Sequence, residues 1–447
     1  MAQMHFDTVD DYIAAKLVHS IHTSERRSFR GCRRRHNWVF REGYYPVTTA
    51  KPLEFGVAYH KGMEKLYDPL TWHDKETAGA LARGSFVQVC DAQFKAFKEA
   101  YRRGKINSYV DMQEAEADYK ERKALGLGML NHYIRNVMPE WDNNFTPVKV
   151  EIEFEVAIKS PDGKQLWCKC DRCWKRQVAW WRTQGALITE QLSDAFLEEH
   201  KVPKPLWTKF TWNDVREQLW IGLPVTYGGR IDMLAQDSFG RYWIFDWKTA
   251  ARMSTGEPGA DDDFLWLDDQ ITSYCWALWS IGFPVAGFIY VEIKKVVPEE
   301  PEPLTRPYKG RLYPINRSKV VTTYDMYKKT VEENDPLAYA NGLYDEFLDY
   351  LKSESGPLHL RHQIHRSDTE LKNAGENIWQ EACDITDPNL RTYPSPGRFA
   401  CGGCAFKDPC LMVNRGEDYE YTLGTLYDKK ERHYYEKEPS TESKGGE

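Results

Sequence analysis

Asp232, Asp246 and Lys248 stand in the stretch GGRIDMLAQDSFGRYWIFDWKTA, residues 228–250. The two aspartates lie fourteen residues apart, each near the end of an apolar run, with a polar turn around Ser238–Gly240 between them. Strand, turn and strand at this distance predict an antiparallel hairpin that carries both carboxylates to one end of a sheet. Lys248 follows Asp246 by two positions and projects from the same face, because strand side chains alternate. Phosphodiester hydrolysis needs this set. Two carboxylates supply hard oxygen ligands for Mg²⁺ or Mn²⁺. The cation polarises the scissile phosphate and lowers the pKa of a bound water. A lysine beside it orients that water or stabilises charge on the phosphate, and the Trp247 backbone carbonyl is placed to complete the metal shell. D-x-K alone is a common tripeptide. The apolar strand before it, and a G-x-I-D strand at hairpin distance, give it meaning.

A second chemistry lies in the cysteines. FACGGCAFKDPC holds Cys401, Cys404 and Cys410, a C-x₂-C-x₅-C spacing that is one ligand short of a metal site. Cys32, in RSFRGCRRRHNW, is the candidate fourth, 401 − 32 = 369 positions upstream of the first. Four cysteines suit zinc and a 4Fe–4S cluster alike, and spacing does not separate them. A further group, Cys168, Cys170 and Cys173 in WCKCDRCW, has three thiols and no evident fourth ligand. It reads as a small zinc site or as reduced cysteines at the end of a hairpin. Asp171, in the same stretch, is a rival for the first catalytic acid; the hairpin spacing to Asp246 favours Asp232.

Charge is gathered in one place. Arg26, Arg27, Arg30, Arg33, Arg34, Arg35 and Arg41 fall within residues 26–41 with no acid among them, on a chain of formal net charge −7. Such a patch is an electrostatic footprint for phosphates, and Trp38 and Phe40 offer rings for base stacking. The alternative is a solvated helix whose arginines pair with acids elsewhere. Apolar residues make up 41% and charged residues 28% of the 447, an ordinary globular balance. The 16 tryptophans serve either a core or base stacking. No run of about 18 apolar residues is present, so no transmembrane helix is expected. The first residues, MAQMHFDTVDDY, carry no basic stretch followed by an apolar one. A cytoplasmic protein with reduced cysteines is therefore expected, and no membrane partner.

These residues need elements to hold them. Residues 1–52 are a polar, basic segment with the first clasp cysteine, and 53–147 read as a helical region. VKVEIEFEVAI (148–158) alternates as a half-buried strand and opens a core of about 148–300, with PDG at 161–163 as a turn. Residues 174–225 read as a Trp-rich insertion. DDQITSYCWALWSIG (268–282) predicts a helix and GFIYVEIKKVV (287–297) a strand. A helical and loop extension over 301–397, a cysteine clasp over 398–435 and a tail of disordered composition over 436–447 complete the chain.

GRIDML followed by IFDWKTA resembles the G-x-x-D … D-x-K-T signature of the RecB-like branch of PD-(D/E)xK nucleases. Gln270 and Tyr274 resemble its Q-x-x-x-Y helix motif. FGVAYHKGMEKLY (55–67), with Gly56 and His60, resembles its early G-x-x-x-H helix, and the resemblance implies that His60 joins Asp232, Asp246 and Trp247 around the metal. One early and three late cysteines resemble the iron–sulfur subgroup, which includes AddB and the CRISPR-associated type-four exonucleases. This implies a 4Fe–4S cluster on Cys32, Cys401, Cys404 and Cys410 that clasps the two ends of the nuclease domain, with zinc as runner-up. The implied fold is α/β: a restriction-endonuclease-like mixed sheet flanked by helices, with helical insertions. The implied activity is a DNA exonuclease acting on ends with single-strand preference, in recombination, repair or replication. Many such proteins are encoded by phages, which would place this one in a host cytoplasm. A structure-selective endonuclease and a catalytically silent DNA-binding adaptor are the rivals; retention of both acids and the lysine disfavours the second. No G-x-x-x-x-G-K-[ST] loop is present, so any helicase, or an annealing protein, would be a separate chain. Oligomeric state is not readable.

Overall fold

The computed structural model describes residues 6–429, apart from 48–50, 105, 107–110, 142–143, 184–193, 208, 210, 252, 254–261, 317–319 and 354–357. The tail over 436–447 lies outside the described residues.

The described strands are β1 (His19–Ile21), β2 (Tyr44–Pro46), β3 (Phe145–Ala157), β4 (Trp167–Cys168), β5 (Leu223–Asp237), β6 (Tyr242–Ala250), β7 (Gly287–Lys294), β8 (His359–Ile364) and β9 (Tyr427–Lys429). Seven of them form one mixed sheet along the path β1-β5-β6-β7-β8, with β3 and β4 also paired to β5. The expected hairpin is β5–β6, antiparallel, with Met233 opposite Phe245. Its turn is built by Asp237, whose carboxylate accepts from the Phe239 and Arg241 amides and from the Arg241 and Trp243 side chains. Gly240 closes the turn at φ 80°, a conformation glycine adopts without a Cβ penalty. β7 joins β6 in parallel, and the helical crossover between them is what a parallel pair requires. β8 adds an antiparallel edge within a stretch read from sequence as helix and loop.

Helices cover both faces. They include α1 (Thr23–Gly31), α2 (Lys51–Leu66), α3 (Lys75–Arg102), α4 (Met112–His132), α5 (Asp171–Thr183), α6 (Asp269–Ser280), α7 (Asp368–Thr386) and α8 (Lys407–Arg415). Starts are fixed by side-chain caps: Asp74 for α3, Asp268 for α6, and a reciprocal Ser367–Glu370 box for α7. On one face Phe55, Tyr59 and Met63 of α2, Phe86 of α3 and Leu130 of α4 pack with Met233, Phe245, Trp247 and Val291. On the other, Ile271 and Trp276 of α6 and Ile378 of α7 pack with Ile231, Ile244, Phe288 and Ile364. Each such side chain contributes about 1.5–3 kcal/mol by leaving water. The tryptophans of the expected insertion serve this second core: Trp174 meets Trp220 at 5.1 Å and Trp181 at 5.7 Å between ring centres.

The ends of the chain meet. β2 pairs with β9, the Arg34 amide donates to the Tyr393 carbonyl, and Trp38 packs with Phe406 and Leu423. No described helix is long and apolar enough to cross a membrane.

Candidate active site

β6 alternates in the way its sequence requires. Trp243, Phe245 and Trp247 face the α2–α4 layer, while Ile244 faces α6. Asp246 and Lys248 continue the Ile244 row. The β5–β6 register, carried one step beyond Met233–Phe245, sets Asp232 opposite Asp246. Asp232 sits at an irregularity. Ile231 packs into the α6 core and Met233 into the α2 core, although residues two apart in a regular strand share a face. Its cross-strand neighbour Glu151 adopts φ 50° while the flanking pairs Val150–Met233 and Ile152–Ile231 hold. A non-glycine residue there costs about 1–3 kcal/mol and collects at functional sites. At this kink the Trp247 amide donates to Asp232 Oδ2 at 3.1 Å.

Two helices then converge on the hairpin. His60 Nδ1 of α2 lies 3.1 Å from Asp232 Oδ2. Gln270 Nε2 of α6 donates to Asp246 Oδ1 at 3.1 Å. Lys248 Nζ lies 2.8 and 2.7 Å from the two oxygens of Asp246. Gly56 faces Thr249 Oγ1, so α2 lies over the end of β6. Asp246 is 4% exposed.

Electrostatics assigns different states to these groups. Burial pushes Asp232 up, but His60, Lys248 and the Trp247 amide together hold it below its usual range. Burial raises Asp246, Asp232 adds repulsion, and Lys248 and His60 only partly offset them. Burial opposes protonation of His60, yet Asp232 outweighs it and the imidazole is raised. Lys248 is raised in the same manner by Asp246 and Asp232, so it is a fixed cation rather than a base. Two adjacent buried carboxylates and an imidazole, balanced only by one ammonium, are a donor set that fits Mg²⁺ or Mn²⁺.

Other expected residues fall elsewhere. Tyr274 makes no described hydrogen bond to Asp246, although Asp246 and Asp232 both act on its hydroxyl; its ring packs edge-on against Phe154 at 5.2 Å, and its hydroxyl lies at the Arg230 amide. A Cβ on Gly229 would stand 2.4 Å from Phe154 and 3.1 Å from Tyr274, so the tyrosine also packs closely on β5. Asp171, the rival acid, pairs with Arg216. Arg26, expected on a DNA surface, is 1% exposed and ion-paired with Asp269 and Glu381. Trp38 is 4% exposed beneath Phe406 and Tyr419, and Phe40 stacks on His36; neither ring is free for a base. Both corrections have one cause: distant acids and aromatics claim the patch. Arg30 also pairs with Asp269, at 2.8 Å, and Arg33 reaches Asp384 at 3.9 Å. Arg27 keeps 62% of its side chain exposed. Missed from sequence were Glu151, a carboxylate near Asp232, and Glu64, near Glu151; Glu64 lies four residues after His60, on the same helical face. Tyr290, opposite Asp246 on β7, was missed as well.

Cys32 meets Cys401 and Cys404 from the far end of the chain. Cys404 is raised by burial and by Cys32 and Cys401 beside it, with Arg35 opposing. The Cys410 sulfur accepts from Arg34 at 3.3 Å, and the Cys401 sulfur from the Gly397 amide at 3.5 Å.

Acid, acid and lysine on the kinked hairpin of a mixed sheet, with a helix closing each side, define a class of site seen in phosphodiester-cleaving enzymes. The family model of the PD-(D/E)XK nuclease superfamily matches residues 159–411, and the chain belongs to that superfamily. No curated protein matches it.

Proposed function

We propose that this protein is a Mg²⁺- or Mn²⁺-dependent DNA exonuclease of the RecB-like branch, acting on DNA ends with single-strand preference. The observation that carries the nuclease reading is the convergence of Asp232, Asp246, Lys248, Gln270 and His60, from four separate elements, within hydrogen-bond distances. The exonuclease assignment rests on the resemblance of the four motifs that supply them. A divalent cation held by Asp232, Asp246 and His60, with the Trp247 carbonyl, would polarise the phosphate and activate water. Lys248 stays protonated and offers its ammonium to charge developing on the phosphate oxygens. Gln270 fixes the Asp246 rotamer. Arg27 and Arg30, the more exposed of the patch, approach the backbone of the DNA.

Cys32, Cys401, Cys404 and Cys410 are proposed to hold a 4Fe–4S cluster. Donors to two of the sulfurs, from Arg34 and the Gly397 amide, suit an anionic thiolate centre. Zinc on the same four sulfurs is the runner-up.

The test is incubation of the purified protein with end-labelled linear DNA and with circular DNA, in Mn²⁺ and in EDTA. Metal-dependent loss of linear DNA with circular DNA intact supports the proposal. Cutting of circles establishes the endonuclease reading instead, and no cleavage of either refutes both.

A further inference from the structure

The C-x-C-x-x-C group acquires its missing ligand in the fold. His19 Nδ1 lies 3.1 Å from the Cys173 sulfur. His19, Cys168, Cys170 and Cys173 have ligand atoms that all fall within 4.8 Å of one another, the one such set of His, Cys, Asp or Glu among the described residues. We propose that these four residues bind a structural zinc ion, separate from both the nuclease centre and the cysteine clasp.

The placement is built by the sheet. β1 runs parallel to the start of β5, with His19 opposite Val225, and β4 runs antiparallel to the same end, with Cys168 opposite Leu223. Two ligands therefore arrive on strands fixed two residues apart along β5. The chain then turns into α5. Cys170 immediately precedes its first residue and Cys173 is its third, so both lie at the positive end of the helix dipole, which favours the thiolates a metal would hold. Gly222, at φ 104°, allows the approach of β5: a Cβ there would stand 2.8 Å from the Cys168 carbonyl oxygen. Cys168 and Cys173 are 1% and 2% exposed, and no disulfide joins any of the ten cysteines.

The chemistry selects the ion. Three sulfurs and one imidazole nitrogen are a closed tetrahedral set for zinc, with no ligand position left for a substrate. A tetrahedron with bonds of about 2.0–2.3 Å needs ligand atoms about 3.3–3.8 Å apart, a small contraction from the observed grouping. An iron–sulfur cube between the same atoms would have to force them apart. Three thiolates and zinc leave one negative charge, and Lys169, Arg172, Lys175 and Arg176 lie in the same stretch of sequence. Such an ion joins the N-terminal strand, the root of the Trp-rich segment and β5 into one unit. Asp232 lies seven residues along β5 from Val225, so the site also secures the strand that carries the first catalytic acid.

The experiment is elemental analysis of the full-length protein, purified anaerobically and dialysed against EDTA to strip the exchangeable cation. Zinc and iron are measured together in wild type, Cys173→Ser and Cys404→Ser. About one zinc per chain is expected in wild type and in Cys404→Ser, falling close to zero in Cys173→Ser, while iron follows Cys404 and not Cys173. Zinc absent from wild type, or retained in full by Cys173→Ser, overturns the proposal. If Cys173→Ser does not fold, X-ray absorption at the zinc edge of wild type decides: a shell of three sulfurs and one nitrogen supports it, and four sulfurs overturns it. Cleavage activity enters none of these readouts, so failure of the nuclease reading would leave the result standing.

Discussion

Arg26→Gln separates a structural arginine from a DNA-binding one. Arg26 is buried at the joint between α1, α6 and α7. Its Nη2 and Nη1 meet the two oxygens of Asp269 at 3.0 and 3.1 Å, Nη1 also donates to Ser273 at 2.9 Å, and Nε meets Glu381 at 2.6 Å. Removing the cation leaves Asp269 and Glu381 with only the half-exposed Arg30, at 2.8 and 3.6 Å, to offset their repulsion. Breaking a buried pair costs about 3–5 kcal/mol. Asp269 and Glu381 retain 23% and 19% of their side-chain exposure, so water recovers part of that, and about 2–3 kcal/mol is expected. Because Asp269 directly precedes Gln270, a loosened α6 should also misplace the amide that holds Asp246. The expected result in urea denaturation is a lower midpoint with an unchanged slope. The salt dependence of DNA binding should stay unchanged, because no phosphate contact is lost. A variant as stable as wild type, with a shallower salt slope, would show that Arg26 contacts phosphate and that the buried network is wrong. Arg27→Gln should do the reverse: stability preserved, salt slope reduced.

Further outcomes follow from the site. His60 raised and Asp232 lowered means that a metal ion must displace the imidazole proton. Apparent Mn²⁺ affinity should therefore rise with pH through the raised His60 pKa, and His60→Ala should flatten that rise; an equal slope in the variant would demote His60 to packing. In metal-free protein the same pair has the opposite consequence. The His60 contribution is full below its ordinary 6.5 and lost as pH rises through the raised value. The Asp232 contribution is full above 3.8 and lost as pH falls through the lowered one. Their joint support is greatest between about pH 4 and 6.5, and thermal scans of wild type against His60→Ala should differ most there. Asp237 is pushed up by partial burial, but the Trp243 indole, the Arg241 amide and guanidinium and the Phe239 amide bring it down to about 2. Its share of stability should persist above pH 3.8 and disappear towards pH 2; Asp237→Asn that leaves acid unfolding unchanged would contradict this. Gly229→Ala should destabilise by about 1–3 kcal/mol, since the new Cβ meets Phe154 and Tyr274, and a neutral result would mean these rings are loosely packed.

What the sequence disclosed, and what it withheld, follows from the range of each interaction. The β5–β6 hairpin was legible because Ile231 and Met233, the Ser238–Gly240 turn and the Tyr242–Phe245 run are local signals. α6 was legible as the helical stretch DDQITSYCWALWSIG. The pairing of Gln270 with Asp246 followed once both elements were assigned. His19 was invisible as a ligand because 149 positions separate it from Cys168 and only the β1–β5–β4 alignment unites them. Arg26 and Trp38 misled for the same reason: a run of arginines reads as solvent-facing until Asp269, Glu381 and Phe406 arrive from far along the chain. The left-handed Glu151 carries no sequence signal, since a glutamate ordinarily avoids that region. β8 was hidden in a stretch whose period is too short to separate from loop.

The most direct test is single-turnover cleavage of end-labelled DNA by Asp246→Ala and Lys248→Ala, with DNA binding measured alongside. The account expects cleavage to fall by at least about 100-fold in each, because both act on charge at the reacting phosphate, while affinity for DNA stays within a few-fold of wild type. Cleavage at the wild-type rate by either variant would place the chemistry elsewhere in the molecule.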